Sequence, residues 1–278
     1  MSARRYIYAT LFALCFLHHK LYLMKVLISI LLLFSMIFVK ELHAQSANER
    51  VEMALQQIKS GDLSAARISI EQLDKYKVGV LAKELDTQAK AKAFWLNLYN
   101  ATVQLHLQED PRRFDDRDVF FQKDWIRVAG LDISLDAIEH GIIRRSKNKL
   151  SLGYMDKLFV DGFEEKFRLD EVDYRVHFAL NCGALSCPPV AIYFTDRLEE
   201  QLDKSSKLYL QDQIRLDEKE NDLYVPRLCF WFNGDFGGED GIKEMLKKHG
   251  FTDLLLKDPD IEYLEYDWTL KVSNYIEI

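Results

Sequence analysis

Thr87-Gln-Ala-Lys-Ala-Lys-Ala-Phe-Trp-Leu-Asn-Leu-Tyr-Asn-Ala-Thr-Val-Gln-Leu-His-Leu-Gln108 is the longest periodic segment in the 278-residue chain. Leu96, Val103 and Leu107 recur at helical spacing, and Trp95 and Leu98 carry the apolar surface nearly all the way round. A helix that is apolar on every side is buried rather than laid on a surface. This segment is therefore predicted to be the helix around which the rest packs. Asn97 and Asn100 sit three apart on one side of it. A buried amide left without partners costs roughly 1–3 kcal/mol, so these two either satisfy neighbouring backbone or line a pocket.

Towards the N-terminus, Asn48 to Lys59 and Leu63 to Lys75 show helical spacing, with Gly61-Asp62 between them as a stop and an N-cap. Val78 to Leu85 reads as a further short helix. Towards the C-terminus, the alternation in Trp125 to Leu135, broken at Gly130, predicts a hairpin. Ser134 then caps a helix from Leu135 to Arg145. Phe159, Phe163 and Phe167 suggest one helical face, and Tyr174 to Leu180 reads as a strand. Thr195 is the expected N-cap of a helix to about Gln211, with Leu198, Leu202, Leu208 and Leu210 facing the core. Ile214–Leu216 and Leu223–Val225 form a second hairpin, Leu228–Phe232 a short apolar strand or turn, Glu239–His249 a helix, and Ile261–Tyr266 a last strand.

Helices first and short strands later make an α+β chain. The expected architecture is a single domain, its helical N-terminal part packed on a small antiparallel sheet of short strands. The boundaries read as a leader over 1–44, a helical extension over 45–80, the main domain over 81–250 and a closing tail over 251–278.

The leader reading rests on Met24-Lys25, the apolar run Val26 to Val39, and Leu42-His43-Ala44 before Gln45-Ser46, the n-region, h-region and cleavage pattern of a secretory signal. Translation is read as starting at Met24. A retained anchor is the alternative, against which the run of 26–39 is short for a span of about 20 residues. The expected location is periplasmic or secreted, with membrane contact only through an uncleaved leader. Of 37 basic and 44 acidic residues, five and one fall in 1–44, which leaves 32 against 43 and a net charge of −11. That balance gives no electrostatic reason to bind nucleic acid or anionic lipid. The partner expected is a small-molecule, peptide or glycan ligand, and no cofactor is called for.

Without Cys15, three cysteines remain: Cys182, Cys187 and Cys229. Either Cys182 and Cys187 close a small loop, or one of them pairs with Cys229 and leaves the other reactive. Around them runs His177-Phe-Ala-Leu-Asn-Cys-Gly-Ala-Leu-Ser-Cys-Pro-Pro189. Cys182 as a nucleophile needs a base or a positive neighbour. Gly183 would free the backbone to expose the thiol, and turn N–H groups would serve as an oxyanion hole. His177 precedes Cys182 by five, so in an extended strand the two would face opposite ways. His140, beside Glu139 on the earlier helix, is the alternative base. The bland alternative is a Cys182–Cys187 staple, and a third is a metal site from His177, Cys182, Cys187 and His140, whose spacing matches no standard zinc pattern.

Three blocks, Phe94 to Ala101, Ile133 to His140 and Arg175 to Pro189, together resemble the domain of unknown function 547 family, over roughly residues 81–236. Asp173-Tyr174-Arg175 departs from the family's Asp-Pro-Arg. The resemblance implies no activity. It does imply that Asn97, Asn100, Glu139, His140, His177, Asn181, Cys182, Ser186 and Cys187 converge. The leading expectation is a thiol-dependent hydrolase or acyltransferase, with Cys182 attacking, His140 or His177 as base beside Glu139, and Asn97, Asn100, Asn181 and Ser186 on the substrate. Papain-like and transglutaminase-like folds carry the histidine after the cysteine, and here the order is reversed. The other class is a non-catalytic binding or scaffold module held by the Cys182–Cys187 staple.

Overall fold

The computed structural model describes residues 24–29 and 45–278. Residues 24–29 are helical, and the rest of the leader reading lies outside the described residues. Residues 46–278 form one compact unit. Among the described residues no helix is long and apolar enough to cross a membrane.

The unit opens on α1 (Ala47–Lys59), started by a capping box in which Ser46 and Glu49 satisfy each other's backbone. Asp62 caps α2 (Leu63–Glu71), which runs into a 3-10 turn over Gln72–Lys75. After α3 (Val78–Glu84), Thr87 caps α4 (Gln88–Glu109) by accepting from the Lys90 N–H. Helix α4 is buried without a break from Ala91 to Leu107, as its all-round apolar surface requires. Most of its polar side chains are paired: Lys92 meets Asp173 at 2.6 Å, and Gln104 donates to Asn181 Oδ1 at 3.0 Å.

Helix α5 (Arg117–Gln122) leads into the hairpin of β1 (Asp124–Val128) and β2 (Leu131–Ser134). Ala129 and Gly130 both take positive φ, 51° and 85°, the two-residue turn whose twist suits a hairpin. Ala129 N–H donates to Leu73 O and so docks the hairpin on the end of the α1–α2 pair. The helix expected after Ser134 is there, but from Ala137 to Ile143 it is a π-helix. Arg144 N–H reaches back to Glu139 O and Ser146 N–H to Gly141 O, five residues each. Such wide turns are uncommon and often stand at functional sites.

Several expectations are corrected further on. Phe159 is 89% exposed and outside any helix; α6 (Gly162–Phe167) begins only where Asp161 accepts from the Phe163 and Glu164 N–H groups. Phe163 and Phe167 do pack edge-on against Trp95. Tyr174 to Phe178 is a 3-10 helix and not a strand, because Asp173 accepts from the Arg175 N–H and turns the chain. The premise that put His177 and Cys182 on opposite faces of a strand thereby falls. Thr195 lies in a turn, and α7 starts later (Leu198–Gln213) with no side-chain cap. On α7, Leu208 is 37% exposed, whereas Tyr209 and Leu210 face inward.

Strands β3 (Arg215–Asp217) and β4 (Asp222–Val225) pair antiparallel, and β5 (Asp260–Tyr263) adds to β4 in parallel. Between them lie the short helix α8 (Leu228–Trp231), where a strand or turn was expected, and α9 (Gly238–Lys248). The fold is α+β, with helices and an antiparallel β1–β2 sheet beside a mixed three-stranded one. One core surrounds α4, and a second lies between α7, α9 and the β3–β4–β5 sheet; Tyr266 packs against both.

Candidate functional site

The segment from Asn181 to Pro188 is a tight loop closed by the Asn181 side chain and by the C-terminal segment. Asn181 Oδ1 accepts from Gly183 N–H at 3.0 Å while Nδ2 donates to Pro188 O at 2.7 Å, so one amide spans the loop. The C-terminal segment runs along its outer side: Lys271 N–H donates to Gly183 O, Leu185 N–H to Thr269 O and Ser186 N–H to Asp267 O. Ser186 Oγ accepts from Asp267 N–H. Gly183 is required here. Its φ is +92°, and a Cβ would stand 2.5 Å from Leu107 Cδ1 on α4. Gly183→Ala is expected to destabilise the domain by roughly 1–3 kcal/mol, from backbone strain and overpacking together, read as a lower urea midpoint with unchanged slope.

Cys182 and Cys187 are joined as a disulfide with Cα atoms 6.2 Å apart, and Cys229 is free and fully buried. Burial pushes the Cys229 thiol far up, so it is inert. Cys182 is partly exposed and Cys187 is buried. The Cys187 sulfur lies 3.0 Å from the Cys182 N–H and 3.0 Å from Tyr266 Oη, which also stands 3.2 Å from the Cys182 sulfur. Burial raises the Tyr266 phenol, and the Glu139 carboxyl raises it further, so Tyr266 keeps its proton and acts as donor. Glu139 accepts from Tyr99 Oη at 3.0 Å. Burial lifts the Glu139 carboxyl above its usual range, against the pull of Arg144. Outside Tyr266 stand Trp231 and Trp268, with ring centres 4.7 and 4.6 Å from it.

A second cluster lies one turn along the π-helix. Arg144 is fully buried, its Nε donating to Asp235 Oδ2 at 2.5 Å and its Nη1 to His140 Nδ1 at 2.8 Å. A guanidinium only donates, so His140 is a neutral imidazole with its proton on Nε2. Burial first, and then the Arg144 charge, hold its pKa well below the usual value. His177 Nε2 reaches Asp235 Oδ2 at 2.9 Å and its ring stacks on Phe232, centres 4.0 Å apart, while the Arg144 guanidinium lies over Phe232 at 4.5 Å. Burial lowers His177 and Asp235 pulls the other way. Desolvation works against Asp235 ionising, but His177 and Arg144 together outweigh it and lower its pKa. Asp235 is held in place from outside by Gly153. That residue, at φ +90°, packs so closely that a Cβ would sit 2.4 Å from Asp235 Oδ1.

The sequence-derived candidates thus part into separate roles. Glu139 lies near Tyr266, with its Oε1 3.8 Å from His140 Nδ1. Neither His140 nor His177 is a hydrogen-bond partner of either sulfur among the described residues; Arg144 and Asp235 hold them instead. The expected pairing of Cys182 with a histidine base is therefore corrected: Arg144 holds the His140 ring, Asp235 holds the His177 ring, and Cys182 is bonded to Cys187. The pairing with Cys229 is likewise not formed. The metal reading from His177, Cys182, Cys187 and His140 is corrected on the same geometry, and among the described residues no three or more His, Cys, Asp or Glu side chains could hold a metal ion.

Asn97, Asn100 and Asn181 are taken up by hydrogen bonds within the fold. Asn97 exchanges both its amide bonds with the Tyr193 backbone, at 2.7 and 2.9 Å. Asn100 donates to Ala179 O and accepts from Asn181 N–H, both at 2.9 Å. All three amides are fully buried. Two described cavities lie elsewhere: one of about 520 Å3 between α1 and the C-terminal segment, and one of about 380 Å3 beside Trp125 and His106.

The family model described as "Protein of unknown function, DUF547" matches residues 82–210. Over residues 82–210 the chain is similar to the DUF547 family. The match ends earlier than the resemblance expected, at 210 and not near 236. The DUF547 segment supplies Tyr99, Glu139, His140, Arg144, His177, Cys182 and Cys187; Phe232, Asp235, Tyr266 and the two tryptophans come from the chain beyond it. No curated protein and no solved structure matches the chain. Sequence reasoning missed Arg144, Asp235 and Tyr266. Arg144 carried a usable signal, an arginine four residues after His140 in an apolar run; Asp235, in the glycine-rich turn Asn233–Gly238, carried a weaker one; Tyr266 carried none.

The electrostatics set a pH dependence. His106, His140, His177 and His249 all have lowered pKa values, burial being the first cause in each. A group that takes up a proton more readily when unfolded contributes stability above its unfolded pKa, near 6.5 for histidine, and loses it as pH falls. Glu52, raised to about 7, and Glu139 run the other way, since burial favours their protonated forms in the fold. Four groups against two predict a urea midpoint that falls between pH 7.5 and pH 5.5. A midpoint that holds or rises across that window would contradict the assignment.

Proposed function

We propose that residues 46–278 act as an exported ligand-binding module rather than a thiol hydrolase, with the Cys182–Cys187 disulfide as its brace. The supporting observation is that disulfide: it leaves no thiolate at position 182. The other parts of a hydrolytic site are tied up as well, since both histidines are bound to the Arg144–Asp235 pair and the asparagines to backbone. What is left for contact is an aromatic cluster, Trp231, Tyr266 and Trp268, the last 36% exposed and carrying the Arg117 guanidinium over its ring at 4.7 Å. Aromatic faces with one polar anchor suit a peptide side chain or the apolar face of a sugar ring. Export rests on the leader pattern of residues 24–44 and on the disulfide, which persists in oxidising compartments.

Alkylation of the denatured, unreduced protein followed by peptide mass analysis tests the reading. Cys229 is expected to be labelled and Cys182 and Cys187 to be protected as a pair. Tryptophan fluorescence is expected to shift on titration with short peptides or oligosaccharides, and Trp268→Ala to remove most of that shift. Ester or amide hydrolysis that disappears in Cys182→Ala would overturn the proposal.

A further inference from the structure

The two sulfurs are not equivalent. Cys182 is the more exposed, and Cys187 is 4% exposed, with two hydrogen-bond donors converging on its sulfur: the Cys182 N–H and the Tyr266 O–H, each at 3.0 Å. A sulfur that leaves as a thiolate is stabilised by such donors, and a lower leaving-thiol pKa speeds exchange. We propose that Cys182–Cys187 is an exchange-active disulfide that oxidises dithiols, with Cys182 the sulfur attacked, Cys187 the leaving sulfur and Tyr266 the donor that stabilises it.

One thiolate of the incoming dithiol bonds to Cys182 Sγ, the Cys182–Cys187 bond breaks, and the electron pair departs on Cys187 Sγ. The second thiolate of the same dithiol then attacks the first substrate sulfur, breaks its bond to Cys182 Sγ and releases Cys182 as a thiolate. Two electrons and two protons pass to the cysteine pair, and the dithiol leaves as a disulfide. Cys187 is held for this role by its N–H bond to Ala184 O, while the loop around it is pinned to the Asp267–Lys271 segment that directly follows Tyr266. Burial keeps Tyr266 protonated up to high pH. The substrate class is a peptide or protein bearing two neighbouring cysteines. Leu185, 44% exposed, and the Trp231 and Trp268 rings give its flanking residues an apolar rim. The proposal goes beyond ligand binding and would survive its failure, because it depends only on the sulfurs and their donors.

The test is reduction of the full chain by dithiothreitol, followed by alkylation and mass analysis. The rate is expected to rise linearly with dithiothreitol concentration in the folded protein, and Tyr266→Phe to slow it about ten-fold while leaving the urea midpoint of the reduced protein unchanged. In Cys187→Ser, the remaining Cys182 should react with an aromatic disulfide reagent at least ten-fold faster than Cys187 does in Cys182→Ser. Reduction at a rate independent of dithiothreitol, an unaltered rate in Tyr266→Phe, or faster labelling of Cys187 would overturn it. Tyr266→Phe keeps the ring, so the first arm decides even if a cysteine variant fails to fold.

Discussion

Asp235→Ala is expected to cost about 3–5 kcal/mol, the usual result of removing one partner from a buried charge pair. The Asp235 side chain has no exposed surface, nor does that of Arg144. Taking the carboxylate away leaves a guanidinium inside the protein with only His140 Nδ1 and the Phe232 face for company. It also removes the acceptor of His177, whose ring stacks on the same phenylalanine. For a domain of this size each kcal/mol corresponds to roughly 2–4 °C, so the melting temperature should drop by about 6–20 °C. Arg144→Met combined with Asp235→Leu removes both charges and is expected to recover much of that loss, since well-packed apolar residues can replace a buried pair with little penalty. A single variant that melts within a degree or two of the parent would mean that the pair is not buried as described.

That cluster also shows where sequence reading succeeds and where it stops. The buried helix α4 was legible because seventeen consecutive buried positions, Ala91 to Leu107, leave a continuous local pattern. The β1–β2 hairpin was legible from alternation and Gly130, and the α1–α2 pair from Gly61-Asp62. The 3-10 turn at Tyr174–Phe178 was misread as a strand because five residues rich in apolar side chains look alike in either form, and what decided between them was the Asp173 side chain on the Arg175 N–H. The π-helix was hidden for a related reason: one wider turn shifts the register without changing residue types. In the candidate site, the segments were found and the partners were not. Glu139, His140, His177 and both cysteines stand in a few distinctive blocks, but Asp235 and Tyr266 reach them across 58 and 84 residues of chain. Contacts of that separation leave no periodicity to read.

The asparagines put the distinction between architecture and chemistry to a direct test. Asn100 joins α4 to the loop that carries the cysteines, donating to Ala179 O and accepting from Asn181 N–H. Asn181 in turn closes that loop across to Gly183 and Pro188. Asn100→Ala therefore strands two buried backbone groups, at roughly 1–3 kcal/mol each, and is expected to destabilise the domain by about 2–6 kcal/mol in urea unfolding. Asn100→Asp keeps the acceptor but loses the donor and buries a carboxyl, so it should not rescue. Had Asn100 instead held a substrate, alanine would weaken ligand binding while leaving the unfolding midpoint nearly in place, because an amide lining a solvated pocket leaves no orphaned backbone when removed. Stability lost at Asn100 with binding at the Trp231–Trp268 platform retained in the folded fraction would assign this amide to the brace, and the opposite pattern would move the binding site to α4.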